Sequence, residues 1–317
     1  MPQMSAAPTP LLPDPPQPGA PALHQAASWQ GPALAIAGAI AFSGKAIIVK
    51  LAYRYGVDAV TLIMLRMAVA LPFFIAMAWW AGRGRSPLSW HDRRACALLG
   101  LLGYYLSSLL DFWGLQHISA SLERLILYLT PAVVLLLSAW LYGKRASKRQ
   151  WQAMALGYGG MLLVFGHELR LDGARVALGA SLVLASTLSY AAYLTYSGEV
   201  VRRIGALRLA GWASGVACAL CLLHYALTLP LATVLAVAPA VAWLSLLNGT
   251  LCTVLPVWLV MAAIERIGSS RAAQYGMLGP ISTILMGIAI LGEPFTLWVA
   301  AGTVGVLAGV MLLASGR

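Results

Sequence analysis

Charge is what this sequence has least of. Only 10% of its 317 residues are Asp, Glu, Lys or Arg, with 10 acids against 21 bases. With 60% hydrophobic residues and a mean hydropathy of +0.80, the chain has too few polar side chains to cover a water-soluble globule. A soluble nucleic-acid-binding domain is excluded, although a net charge of +11 would otherwise suggest one. Cysteine is also scarce: Cys96, Cys218, Cys221 and Cys252 lie in or beside apolar runs, which argues against a disulfide framework. A Walker-type Gly-Lys-Ser/Thr loop, His-Glu-x-x-His and Gly-x-Ser-x-Gly are all missing, so the sequence offers no direct ATP coupling and no familiar hydrolase motif. Cys218-x-x-Cys221-x-x-His224 looks like a metal string. Its three-residue steps spread the ligands around an apolar helix without supplying a fourth, so no metal and no cofactor is expected.

What the chain does have is long apolar runs. Residues 1–29 read as a disordered, Pro-rich cytoplasmic tail, because the first 28 contain eight prolines and no Lys or Arg. They lack the basic and compact apolar parts of a cleaved signal peptide. Ten runs of span length follow, at 30–51, 59–80, 95–116, 118–142, 150–167, 176–199, 206–229, 240–263, 269–291 and 295–314. Such lengths match about 30 Å of hydrocarbon at about 1.5 Å per residue. The fold class is therefore an all-α polytopic membrane protein. With the N-terminus inside, fourteen bases fall in inner connections and four in outer ones, with Lys45, Arg66 and Arg124 inside spans. That bias predicts a multi-pass protein of the bacterial plasma (inner) membrane with both termini cytoplasmic.

The chain also repeats itself. A gapless shift of 149 residues aligns Arg54 with Arg203, Gly56 with Gly205, Gly100 with Gly249, Ile118 with Ile267 and Ser121 with Ser270. The same shift aligns Pro131 with Pro280, Gly143 with Gly292 and Gly160 with Gly309. Each half, 30–167 and 176–314, then holds five spans. Because five is odd, the second half enters the membrane in the opposite sense, giving two inverted five-helix repeats. The pattern Ile118-Ser119-Ala120…Pro131…Gly143, echoed by Ile267-Gly268-Ser269…Pro280…Gly292-Glu293-Pro294, resembles the EamA-type members of the drug/metabolite transporter superfamily. That resemblance covers about residues 30–315. It implies a ten-helix carrier of small organic metabolites, commonly an exporter. One departure is Lys144, at the position where many members carry the glutamate kept here as Glu293.

Chemistry has to come from the charges inside the spans. Lys45, Arg66, Asp111, Glu123 and Arg124 all fall in the outer half of the membrane. Each would cost about 2.5–3.5 kcal/mol near the middle of a lipid-facing helix, so they are expected to face inward. Positions 149 residues later are Leu194, Gly215, Val260, Ala272 and Ala273, so the charged set is private to the first half. Three bases against two acids favour an anionic or zwitterionic, amino-acid-like substrate in one polar cavity, or else a set of structural ion pairs. Neighbouring helix residues point about 100° apart, so Glu123 and Arg124 are expected to reach different partners.

Further candidate lining residues follow from helical spacing. They are Tyr104 and Ser108 beside Asp111, Tyr190 and Tyr193, Tyr128 one turn beyond Arg124, Asn248, and Gln274, with Ser107, Ser186, Ser197, Ser245, Cys252 and Tyr275 on the same faces. For the serine and tyrosine stripes, helix–helix hydrogen bonding is the competing explanation. Pro131 and Pro280 suggest mid-span kinks that could act as hinges. Ala153-x-x-x-Gly157 and Ala301-x-x-x-Gly305-x-x-x-Gly309 suggest close-packing faces, the latter open to a homodimer contact.

The expected partners are the lipid bilayer, a small metabolite and a coupling proton on Asp111 or Glu123, with no nucleic acid. Two other classes stay open at this point. A lipid-modifying membrane enzyme would have only Asp111 and Glu123 as candidate acids. A non-transporting receptor or structural protein is the other. The expectation from the sequence is a secondary carrier rather than an enzyme.

Overall fold

The computed structural model describes residues 29–142, 147–171, 173–276 and 278–314. The tail expected up to residue 28, Gly143 and Lys144 lie outside them. All regular structure among the described residues is helical. In chain order the helices are α1 (Gln30–Tyr53), α2 (Ala59–Gly82), α3 (Trp90–Leu115), α4 (Ala120–Leu127), α5 (Thr130–Tyr142), α6 (Lys148–Leu171) and α7 (Gly173–Ile204). There follow α8 (Ala206–Thr228), the short α9 (Leu231–Leu235), α10 (Pro239–Gly249), α11 (Leu255–Gly276), α12 (Gly279–Met286) and α13 (Leu297–Ala314). Seven stretches are long and apolar enough to cross a membrane: α1, α2, α3, Ala120–Leu141, α7, α8 and Pro239–Val260. Gly279–Leu291 and Leu297–Gly309 are apolar but shorter. The 24-residue α6 carries Lys148 and Arg149 at one end and Glu168 and Arg170 at the other.

Local chemistry sets several boundaries. Asp58, Ser89 and Ser119 cap α2, α3 and α4, their side-chain oxygens accepting from the amides of Thr61, Asp92 and Leu122. The expectation that Pro131 and Pro280 kink continuous helices needs correcting. Each proline is the second residue of a new helix, α5 or α12, preceded by turn residues, Tyr128 and Leu129 in the first case and Leu278 in the second. Its missing N–H then falls among amides that have no intrahelical acceptor anyway.

The 149-residue register reappears in the backbone. Gly56 and Gly205 both turn the chain with positive φ, at 74° and 89°. A π-helical stretch interrupts α3 from Leu101 and joins α10 to α11 from Thr250, again 149 residues apart. Nothing in the residue types announces those π turns, because Leu101 aligns with Thr250.

Helices of the two halves pack antiparallel in pairs. Gly31 lies on Ile267, Gly38 on Val260 and Gly44 on Cys252, which runs α1 against α11 and then the π turn. In the same way α2 lies on α8 through Gly211 and Ala78, and α3 on α7 through Gly114 with Gly179 and Val183. Helix α4 meets α12, and α6 meets α13. The small-residue stripes serve this last pair: Gly160 packs on Gly302 and Gly305, and Gly309 on Ala153 and Gly157. Gly305 and Gly309 are therefore consumed within the chain, which corrects the idea of a dimer contact on that stripe.

This packing predicts opposite outcomes for adjacent residues. A Cβ at Gly160 would fall 2.6 Å from the Gly302 carbonyl oxygen and 2.8 Å from the Val306 nitrogen, whereas one at Gly159 meets nothing within 4 Å. Gly160→Val should lower the melting temperature of the detergent-purified protein by an amount corresponding to about 1–3 kcal/mol or more. Gly159→Ala should leave it unchanged or raise it, since alanine is the better helix former by about 1 kcal/mol. Equal melting of the two variants would contradict the α6–α13 contact.

Candidate functional site

Four of the five membrane-embedded charges are tied together through α1. Lys45 is 7% exposed, Asp111 2% and Glu123 0%. The Lys45 ammonium lies 2.5 Å from Asp111 Oδ2 and 3.2 Å from Glu123 Oε1. A single cation from α1 thus bridges acids on α3 and α4. An unpaired charge in such a place costs several kcal/mol, and opposite charges at contact distance offset much of that cost. Two acids to one base leaves acceptor capacity over: Asp111 Oδ1 and Glu123 Oε2 have no hydrogen-bond donor, and Glu123 Oε1 faces the ammonium at ion-pair distance without a hydrogen bond.

Arg124 takes a different direction from Glu123, as the 100° step requires. Its Nη2 donates to Ser43 Oγ at 2.7 Å, and its guanidinium stands 5.8 Å from the rings of Phe42 and Tyr128. The Ser43 hydroxyl lies 2.8 Å from the Gly279 carbonyl oxygen at the start of α12. A side chain at Gly279 would meet Tyr128 Oη and Arg124 Nη2, so glycine opens the space in which α1, α4 and α12 converge.

Arg66 forms a third group. It donates from Nε to Thr253 Oγ1 at 2.9 Å and lies over the Phe112 ring, 5.2 Å from its centroid. Thr253 in turn donates to the Asn248 carbonyl oxygen at 2.8 Å, a bond that the π turn makes available. Asn248 is wholly buried, and neither polar atom of its side chain has a partner among the described residues.

Of the aromatic candidates, Tyr128 lies beside Arg124, and Tyr104, Tyr190 and Tyr193 sit elsewhere along the bundle. Tyr104 and Tyr193 pair hydroxyl to hydroxyl at 3.2 Å, and Tyr190 stacks on Tyr193 with centroids 5.5 Å apart. Tyr104 is seven residues from Asp111 on α3, about 10 Å along the axis. Ser186 and Ser189 are used in packing, donating to the carbonyls of Ser107 and Leu102 in and beside the π turn. Ser108 is half-buried and joins none of these groups. The side chain of Gln274 lies outside the described residues. Cys218 and Cys221 pack in the core, and His224 Nδ1 bonds to Tyr105 Oη at 2.9 Å.

The sequence did not single out Ser43, Thr253 or Phe112, which are uncharged and carry no motif. Nor did it assign a task to Glu293. This residue crosses from the second half to the first: its carboxylate accepts from the Ala120 amide at 2.7 Å, the Ser121 amide at 3.2 Å and the Ser121 hydroxyl at 2.7 Å. The start of α4 is a natural seat for an anion, because its amides are unpaired and the helix dipole is positive there. Around this latch, Lys50 donates to the carbonyls of Leu115 and Ile118, Arg54 to that of Leu291, and Ser119 to Glu168. A depression of about 530 Å³ lies there, lined by Lys50, Arg54, His117 and Glu293 among others. The opposite end carries its own ties: Arg203 pairs with Asp92 at 3.0 Å, Arg85 donates to the Ile204 carbonyl, and Arg208 to that of Ser86.

Removing the central cation tests this arrangement. Lys45→Met strands two buried acids and should destabilise the protein by about 3–5 kcal/mol. Adding Asp111→Asn and Glu123→Gln to Lys45→Met should recover most of the loss in thermal melting. A triple variant no more stable than Lys45→Met would contradict the ion triad.

Comparison with known proteins agrees with this architecture. The profile of the EamA-like transporter family matches twice, over residues 29–166 and 177–315. The uncharacterized transporter YcbK of Bacillus subtilis (strain 168) is 32% identical over 280 residues, covering 85% of this chain and 88% of its own. A solved crystal structure with 18% identity shares the fold, with a TM-score of 0.60 over 90% of this chain and 97% of that one. With two profile matches that span both halves, this chain belongs to the EamA-like transporter family.

Proposed function

We propose that the protein is a secondary carrier that exports small organic metabolites, amino-acid-like and anionic or zwitterionic, by alternating access. The observation that carries this reading is the private charge set. Five ionisable residues, each no more than 7% exposed, converge at the seam between the halves, and the second half has no equivalents. A purely architectural device would be repeated in both halves; this one is not.

Ten spans in two inverted five-helix repeats are the architecture of this proposal, and two observations support them. Exchanging the halves preserves most of the helix pairings: α1 with α10–α11 becomes α3 with α7, while α2–α8 and α6–α13 each map onto themselves. The path through α11 is the second. Gly31 touches Ile267 near the foot of α1, yet Gly279 lies by Ser43, twelve residues or about 18 Å farther along it. A straight helix through Gly276 would carry the chain away from Ser43, which supports a reversal after Ile267 and, in this proposal, separate eighth and ninth spans.

In the orientation given by the basic residues, with both termini in the cytoplasm of a bacterial inner-membrane protein, the Glu293 latch closes the outer end. The residue 149 positions earlier is Lys144, a donor that cannot accept from helix amides. The latch is therefore one-sided in chemistry. It favours a resting state closed outside and free to load from inside, the state an exporter needs. A gradient supplies the energy in this proposal, with the two acids that share Lys45 as the place for a coupling proton.

Proteoliposomes loaded with a panel of amino acids and organic acids, with and without an imposed pH gradient, test the proposal. The expected result is saturable, protein-dependent movement of a carboxylate-bearing compound, faster with the gradient. Movement indifferent to the gradient would remove the proton. Movement of no panel compound, or turnover of a lipid headgroup by the purified protein in detergent, would overturn the carrier.

A further inference from the structure

Of the three membrane-embedded cations, only Lys45 has a carboxylate within ion-pair distance among the described residues. It has two, and so has no charge to spare for a ligand. Arg124 has a buried Nε without a hydrogen-bond partner, but its Nη2 is taken by Ser43 and its guanidinium stands beside the rings of Phe42 and Tyr128, with no unbonded polar side chain beside it among the described residues. Arg66 is held by one nitrogen only: Nε reaches Thr253 Oγ1, while Nη1 is buried without a partner.

The wall beside Arg66 has the same property. Gly249 packs directly on the Arg66 backbone, since a Cβ there would fall 2.8 Å from the Arg66 carbonyl oxygen. Next to it, Asn248 is 0% exposed with neither Nδ2 nor Oδ1 bonded, and Ser245, one turn earlier, is 1% exposed with its hydroxyl unbonded. Buried polar atoms left without partners cost about 1–3 kcal/mol each, and native interiors hold few of them. Three donor-bearing side chains in that condition, clustered on α2 and α10, call for a ligand that accepts hydrogen bonds and carries negative charge. The planar guanidinium fixes the class further, because its parallel N–H groups match a carboxylate.

We infer that Arg66, Asn248 and Ser245 form a carboxylate-binding subsite for the cargo, separate from the Lys45–Asp111–Glu123 triad. This rests on the carrier reading above and adds to it the place and polarity of one end of the substrate. Glu123 Oε2 and Asp111 Oδ1, which lack donors, then suit an ammonium at the other end, so a zwitterion would lie with its carboxylate toward α2 and α10 and its ammonium toward α3 and α4. Thr253 is a positioning residue that orients the guanidinium from Nε.

The test uses the full chain purified in detergent and three matched sets of probes: amino acids, the same molecules without the carboxylate, and the same molecules without the amine. Thermal melting and titration calorimetry report binding, and a liposome assay of the same compounds reports transport. Amino acids should raise the melting temperature most and the matched amines least. Arg66→Gln should weaken carboxylate binding at least tenfold while remaining monodisperse by size exclusion. Asn248→Asp, nearly isosteric, should hold the guanidinium internally and abolish the carboxylate-dependent shift without lowering the melting temperature of the unliganded protein. A role confined to packing would not produce that split. Carboxylates that bind equally well to wild type, Arg66→Gln and Asn248→Asp overturn the subsite and leave the carrier standing if transport persists. Wild type that binds no carboxylate in the panel overturns the subsite whatever other cargo it moves. Movement of no compound of any kind overturns the carrier reading itself.

Discussion

Three helices meet where the Lys45 ammonium reaches both Asp111 and Glu123. In a chain with so few charges, this triad fixes the rotation of α1, α3 and α4 about their own axes, since each side chain has to point at the others. An ionised group facing lipid would cost several kcal/mol, and apolar contacts alone do not specify rotation so sharply. Once α1 is set in this way, Ser43 faces Arg124 and the opening of α12, and Gly38 and Gly44 face α11 and Cys252. The triad thus connects the private chemistry of the first half to the packing of the second.

The two halves share a scaffold and differ in what they put on it. Helix breaks before Pro131 and Pro280, positive-φ turns at Gly56 and Gly205, and π turns from Leu101 and Thr250 all recur with the same spacing. The π turns free backbone groups in the middle of a bundle where water cannot satisfy them, and side chains take up the slack: Ser189 bonds Leu102, Ser186 bonds Ser107, and Thr253 bonds Asn248. At the second π turn the satisfying hydroxyl also carries Arg66. The proposed subsite begins at that point, because a hydroxyl that would otherwise only repair a helix also aims a guanidinium. The latch follows the same logic, with Glu293 satisfying the exposed amides of α4 from across the seam.

Much of this was visible in the residues. Composition and run length gave the membrane class, and the 149-residue register gave two halves. The lack of a charged counterpart at Leu194, Gly215, Val260, Ala272 and Ala273 set the charged cluster of the first half apart from the repeated scaffold. The angular argument also placed Glu123 and Arg124 on different partners, and those partners are Lys45 and Ser43. What the sequence withheld were features that depend on three-dimensional closure. No residue type encodes a π turn, so Thr253 could not be linked to Arg66, 187 positions away. Pro131 and Pro280 read equally well as kinks or as helix starts until the preceding backbone is known. The glycine stripe on α13 gave no sign that its partner was α6 of the same chain rather than a second copy.

The account finally depends on relative movement of the two halves at the Glu293 end. A background with the four native cysteines replaced by alanine, carrying Ser121→Cys and Glu293→Cys, allows that end to be pinned with a short thiol-reactive cross-linker and released by a cleavable version of it. Transport by the same proteoliposomes before cross-linking, after it and after cleavage is the direct measurement. The account predicts that transport stops when the bridge forms and returns when it is cut; unchanged transport through a fully bridged protein would contradict it.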